Sequence, residues 1–165
     1  MNKTWIAVDN GVSGTIGVLS TFNEPLFMKT PVIMVQDYTK AKKNISRLNA
    51  PAFYEFLSGW KEKSDSLILC LERPMINPSM FKASESAVRC FEAMWAIIDL
   101  LSIPVTFIPS SDGQKELLPK GTKGAPELKK ASLDIGNRLY PQFKDFKHPD
   151  RDGILMAHWL KQMNP

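Results

Sequence analysis

The sequence predicts an α/β domain built on a mixed five-stranded sheet flanked by helices. Two short, wholly apolar runs, Trp5-Ile6-Ala7-Val8 and Leu67-Ile68-Leu69-Cys70-Leu71, read as strands buried on both faces. Other stretches place apolar residues at helical spacing. The order along the chain is three strands, a helix, a strand, a helix, a strand and then helices, the pattern of an α/β domain with a mixed sheet.

Each element has its own signal. The first run stops at Asp9, and Asn10-Gly11 then supplies hairpin chemistry. Thr15 to Ser20 and Leu26 to Val35 read as the second and third strands of an antiparallel meander, and Lys40 to Arg47 as a basic connection with four cations and no acid. Pro51 to Lys63 reads as a helix, with Phe53, Phe56, Leu57 and Trp60 at helical spacing and Pro51 where helices begin. The second apolar run stops at Glu72, and Pro74 and Pro78 force an irregular loop. A long helix is expected from Ser84 to Ser102, its stripe formed by Ala87, Phe91, Met94, Trp95, Ile98 and Leu101. Pro104 to Ile108 is a further strand, Lys115 to Gly124 a basic segment, and Glu127 to Leu139 and Pro149 to Met163 are the last helices.

A length of 165 residues fits one domain spanning 1–165. At 44% hydrophobic and 23% charged, the composition excludes a disordered or collagen-like chain. Two cysteines, Cys70 and Cys90, exclude a disulfide scaffold and a thiolate metal set, so a reducing compartment is expected. The longest apolar stretch is broken by Asp99 and Pro104, and the first residues lack a signal-peptide core. The expectation is a soluble cytoplasmic protein with no membrane and no small-molecule cofactor. The net charge of +4 is a weak pointer to a polyanion, because 17 acids lie among 21 bases.

The acids are informative by position. Asp9 and Glu72 each end an apolar strand, where sites form in open α/β sheets. Singly, a turn residue and a surface charge explain them as well. Asp152 heads the apolar stripe Leu155, Met156, Trp159, Leu160 and Met163, so it points inward, which is costly without a partner or a metal. His148, four residues earlier, shares that face if the first turn is helical, whereas Asp150 should point away and serve as a cap. Hard oxygen ligands without cysteines select magnesium or manganese. Two such ions activate water and stabilise the leaving oxygen in phosphodiester hydrolysis.

The segments Ile6-Ala7-Val8-Asp9-Asn10-Gly11, Leu69-Cys70-Leu71-Glu72 and His148-Pro149-Asp150-Arg151-Asp152-Gly153-Ile154-Leu155-Met156-Ala157 resemble the RuvC-type Holliday-junction resolvases, particularly the phage-encoded versions. The resemblance covers nearly the whole chain. It implies an RNase H-like fold, a homodimer, and magnesium-dependent cutting of four-way DNA junctions, in the host cytoplasm if phage-encoded. It also implies Asp9, Glu72, His148 and Asp152 as catalytic metal ligands, with Asp150 the competitor for the place of His148. Lys115, after Ile108-Pro109, and Lys129-Lys130, at a helix start, match DNA-contacting bases of the family. Met75 and Phe81 stand where the family places an aromatic wedge, and apolar wedges unstack base steps. Phe81 packing on the long helix is the plainer explanation of that residue. The group Lys42, Lys43 and Arg47 is explained equally by a solvated face.

Two other readings compete. Asp9-Asn10-Gly11-Val12-Ser13-Gly14-Thr15 also resembles the first phosphate loop of actin-like and sugar kinases, but those need two lobes and 165 residues supply one. A catalytically inactive RNase H-like DNA-binding protein is the alternative, favoured by His148 and disfavoured by the three acids.

Overall fold

The two apolar runs are neighbours in space. In the computed structural model, which describes residues 1–109, 118, 119, 121, 122 and 124–165, β1 (Lys3–Val8) pairs in parallel with β6 (Ser66–Glu72), Val8 opposite Leu71. β2 (Thr15–Ser20) pairs antiparallel with β1, β3 (Leu26–Lys29) antiparallel with β2, and β7 (Val105–Ile108) parallel with β6. The mixed five-stranded sheet therefore has the order β3-β2-β1-β6-β7.

Alternate side chains of the central strands feed two cores, because successive residues of a strand point to opposite faces. Ile6, Val8, Ile16, Val18, Leu69 and Leu71 pack against Phe53 and Leu57 of α1 (Ala50–Lys63) and Met94 and Ile98 of α2 (Phe81–Leu100). Trp5, Ala7, Leu19, Phe27 and Cys70 pack against Ile154, Ala157 and Leu160 of α4 (Asp152–Met163), with α3 (Ala125–Leu139) beside it. Each fully buried aliphatic or aromatic side chain contributes roughly 1.5–3 kcal/mol. Among the described residues, no helix is long and apolar enough to cross a membrane.

Four expectations are corrected. The third strand stops at Lys29 rather than Val35: the Thr30 N–H still bonds Gly14 O at 3.0 Å in register with β2, but Pro31 has no N–H to carry the ladder further. Beyond Pro31 the chain forms a separate hairpin of β4 (Val32–Gln36) and β5 (Asn44–Leu48), so the expected basic connection is in fact the hairpin's tip and second strand. The long helix starts earlier, at Phe81, which places that residue on the helix and not on the loop. The last helix starts later, at Asp152 and not Pro149.

Candidate metal centre

Asp9 directly follows Val8 of β1 and Glu72 directly follows Leu71 of β6, so the parallel register sets the two acids side by side, about 4.8 Å apart in strand spacing. Their carboxyl groups share a hydrogen bond. The third acid comes from the far face of the sheet. A Cβ on Gly17 would lie 2.3 Å from Gly153 O, and one on Gly153 would lie 2.8 Å from Thr15 O. The start of α4 thus rests backbone to backbone on β2, with Gly153 N–H donating to Thr15 Oγ1 at 3.0 Å. Only glycine at both positions permits that approach, and it lowers Asp152 onto the sheet end beside Asp9.

The helix begins late because the preceding segment is held by a buried cation. Arg151 is 1% exposed. Its guanidinium donates to the carbonyls of His148 at 3.1 Å, Asp150 at 2.8 Å, Phe143 at 2.9 Å and Phe146 at 3.1 Å, and Nε donates to Asn137 Oδ1 at 3.0 Å. The rings of Phe27 and Phe146 lie 5.5 and 6.0 Å from its centre. A helical turn at Pro149 is incompatible with these bonds. Asp150 consequently turns inward rather than away: it is 3% exposed, and its Oδ1 accepts Asp152 N–H at 3.3 Å. Oxygens of Asp9, Asp150 and Asp152 all lie within 4.8 Å of one another, a group able to hold a metal ion. His148 reaches the group from its edge, by loop geometry rather than helix stacking. Its Nε2–H donates to Ser13 O at 3.1 Å, and its Nδ1 stands 3.1 Å from Asp150 Oδ1.

The electrostatics are those of buried carboxylates that repel one another. Burial, then the hydrogen bond and charge of Glu72, raise Asp9 well above the ordinary carboxylate range. Burial and the charges of Asp152 and Asp150 raise Glu72, against hydrogen bonds from Asp9 and the Asn10 backbone. Burial, Asp150 and Asp9 push Asp152 up to about 7, opposed by the Ser132 hydroxyl and the charge of Lys129. Ser132, buried on α3, donates to Asp152 Oδ1 at 2.5 Å and accepts the Arg151 N–H at 3.1 Å. Oxygen-only donors crowded against their own repulsion fit a hard divalent cation such as magnesium or manganese. Ser132 and Arg151 are not identifiable as site residues from spacing, because their part in it is made by tertiary hydrogen bonds.

Around the acids an open pocket is lined by Asn10, Met75, Met80 and Ala87. Met75 and Phe81 are 73% and 72% exposed, so Phe81 does not pack on its own helix. Lys129 and Lys130 are exposed near the start of α3, and Lys115 lies outside the described residues.

The same architecture occurs in a solved structure of RuvC from T. thermophilus in complex with a Holliday junction substrate, at a TM-score of 0.53 and 11% sequence identity, covering 99% of this chain and 96% of that one. The fold is RuvC-like. A second Thermus thermophilus RuvC structure has a TM-score of 0.47, again at 11% identity and 99% and 96% coverage. No protein-family model matches the chain, and no curated protein matches its sequence. In this RuvC-like fold the acidic group sits at the carboxyl ends of the two central parallel strands, where an open α/β sheet places its sites.

Proposed function

We propose that the chain is a metal-dependent, structure-selective DNA endonuclease that resolves Holliday junctions and other branched DNA by phosphodiester hydrolysis. The observation that carries the proposal is the convergence of Asp9, Asp150 and Asp152, with Glu72 bonded to Asp9, at one sheet end of a RuvC-like fold. A solved structure of that fold holds a Holliday junction substrate.

Asp9, Glu72, Asp150 and Asp152 would hold magnesium, with His148 adding Nδ1 at the edge while Ser13 fixes its other nitrogen. Two such ions, when bound, activate a water and stabilise the leaving oxygen of a phosphodiester, and manganese suits the same ligands. The remaining work falls to this chain's own residues. Ser132 orients the Asp152 carboxylate, and Arg151 fixes the backbone that presents His148 and Asp150. Lys129, Lys130 and Lys115 are assigned to backbone phosphates, which position a duplex without reading its sequence. Met75, which lines the pocket around Asp9 and Glu72, and Phe81, exposed at the start of α2, are assigned to unstacking bases at the branch point. A homodimer would bring two such sites to the two strands of a junction. Trp95 and Leu100, 41% and 74% exposed on α2, are its proposed contact, checked by a concentration-dependent mass measurement.

The deciding assay incubates the protein with a synthetic four-way junction and magnesium beside Asp9→Asn. Paired nicks that vanish in the variant support the proposal. Tight binding without cleavage, in magnesium and manganese alike, would leave a DNA-binding protein with no nuclease activity and sink the catalytic claim.

A further inference from the structure

The β4–β5 hairpin lies outside the main sheet, and only Leu48, at its root, is buried in a core. Its tip is a tight loop closed by Asp37 N–H to Lys43 O at 2.7 Å and Lys42 N–H to Thr39 O at 3.0 Å. Lys42 sits at φ 47°, a left-handed conformation that glycine or asparagine would adopt more cheaply. Lys40, Lys42 and Lys43 are all exposed. The tip's acid, Asp37, is committed elsewhere: its carboxylate accepts the Tyr38 N–H at 2.7 Å and the Thr39 hydroxyl at 3.0 Å. Among the described residues none of the three lysines has an ion-pair partner. Behind them Arg47 Nη1 donates to the hydroxyl of Tyr38 at 3.0 Å, holding an 80% exposed aromatic ring beside the lysines.

The root of the hairpin adjoins the acidic site. Thr30 N–H is bonded to Gly14 O in the turn after Asp9, and Asn49 N–H to Pro31 O at 2.9 Å closes the base. Arg47 and Leu48 share a groove with Val12 of the same turn and with Arg89 and Cys90 of α2. Five-residue strands at about 3.4 Å per residue carry the tip roughly 17 Å from that root, about the length of five base pairs of B-form DNA.

We infer that the hairpin is an arm that grips the nucleic-acid backbone, with Lys40, Lys42 and Lys43 on phosphates of the duplex that leads away from the acidic site. The inference rests on the endonuclease reading and extends it by naming a second, remote contact. The partner is a polyanionic backbone because the tip offers three unneutralised ammonium groups, while the Asp37 carboxylate and the Gln36 amide are bonded within the hairpin.

The test measures binding of a four-way junction with long arms, in EDTA, as a function of salt. Wild type is compared with a Lys40→Gln, Lys42→Gln, Lys43→Gln triple variant and with the corresponding triple Lys→Arg variant, each first shown to melt like wild type. Three lost phosphate contacts reduce the slope of log affinity against log salt by about 2–3 and weaken binding roughly 10- to 100-fold at moderate salt. The arginine variant keeps the wild-type slope, and cleavage at saturating junction is unchanged in both, since the tip does not touch the acids. An unchanged slope in the glutamine variant overturns the inference, as does a loss of self-association without a loss of DNA affinity. If wild type nicks the junction but the slope does not move, only the arm is wrong; if wild type neither binds nor cuts junctions, the endonuclease reading fails and the arm with it.

Discussion

Replacing Asp152 with Asn should stabilise the metal-free protein, and by an amount that depends on pH. In the folded chain Asp152 keeps its proton up to about pH 7, against an ordinary value of 3.8. Between those values the native state holds a proton that the unfolded state has released, so native stability falls as pH rises through the window. The penalty grows by about 1.4 kcal/mol per pH unit and levels off near 4 kcal/mol above pH 7. Asn has the same shape, keeps an oxygen for the Ser132 hydroxyl and never ionises. Asp9 and Glu72, also raised, can take up the proton that Asp152 gives away, which makes 4 kcal/mol a ceiling. For a chain of this length that ceiling corresponds to a Tm gain of roughly 8–16 °C. Thermal melts in EDTA from pH 5 to pH 8 should show the gap between variant and wild type widening with pH. Manganese should then raise the wild-type Tm and narrow the gap, because a bound cation relieves the repulsion that Asn removes. A gap that stays constant with pH, or widens as pH falls, would refute the account of Asp152 as a carboxylate strained by its neighbours.

Other substitutions probe the supports. Arg151→Gln strips donors from four backbone carbonyls around a buried guanidinium, so it should cost roughly 3–5 kcal/mol in chemical denaturation, and manganese titrated into the folded variant should bind more weakly because Asp150 is no longer held. Gly17→Ala places a methyl 2.3 Å from Gly153 O; a loss of roughly 1–3 kcal/mol together with reduced junction cleavage is expected, and full activity would show that the height of α4 above the sheet is unimportant. By calorimetry with manganese, Asp150→Asn should weaken binding more than His148→Ala, for which about tenfold is expected, because Asp150 is inside the acidic group and His148 at its edge; the reverse order would return the histidine to the primary set.

The parts of the molecule written in local patterns are readable from the sequence. Trp5 to Val8 and Leu67 to Leu71 announce the central strands through continuous apolar character, and Asp9 and Glu72 stand out by ending them. Asp152 is readable because it heads a helical stripe. Asp150 is not, because the helical period extends one turn further back than the helix does. That period assigns Asp150 outward, whereas its actual direction is set by Arg151, whose partners Asn137, Phe143, Phe146 and His148 lie in α3 and in the segment between α3 and α4. The hairpin escapes for a related reason: Pro31 breaks a run that looks continuous in composition, and β5 carries too few apolar residues to register as a strand without its partner β4. The side-by-side placement of Ser132 and Asp152 depends on α3 meeting α4, which no spacing reveals.

The crossing of Gly17 and Gly153 has one more consequence. The depth of Asp152 relative to Asp9 is set by peptide groups in contact, with no side chain between them to act as a spacer. Either core can therefore exchange Leu for Ile or Phe for Met over generations while this dimension of the site stays fixed. Drift at these two glycines is another matter, since any added atom moves an acid directly. The site is gauged by the main chain, and its tolerance is narrowest where the sequence carries the least chemistry.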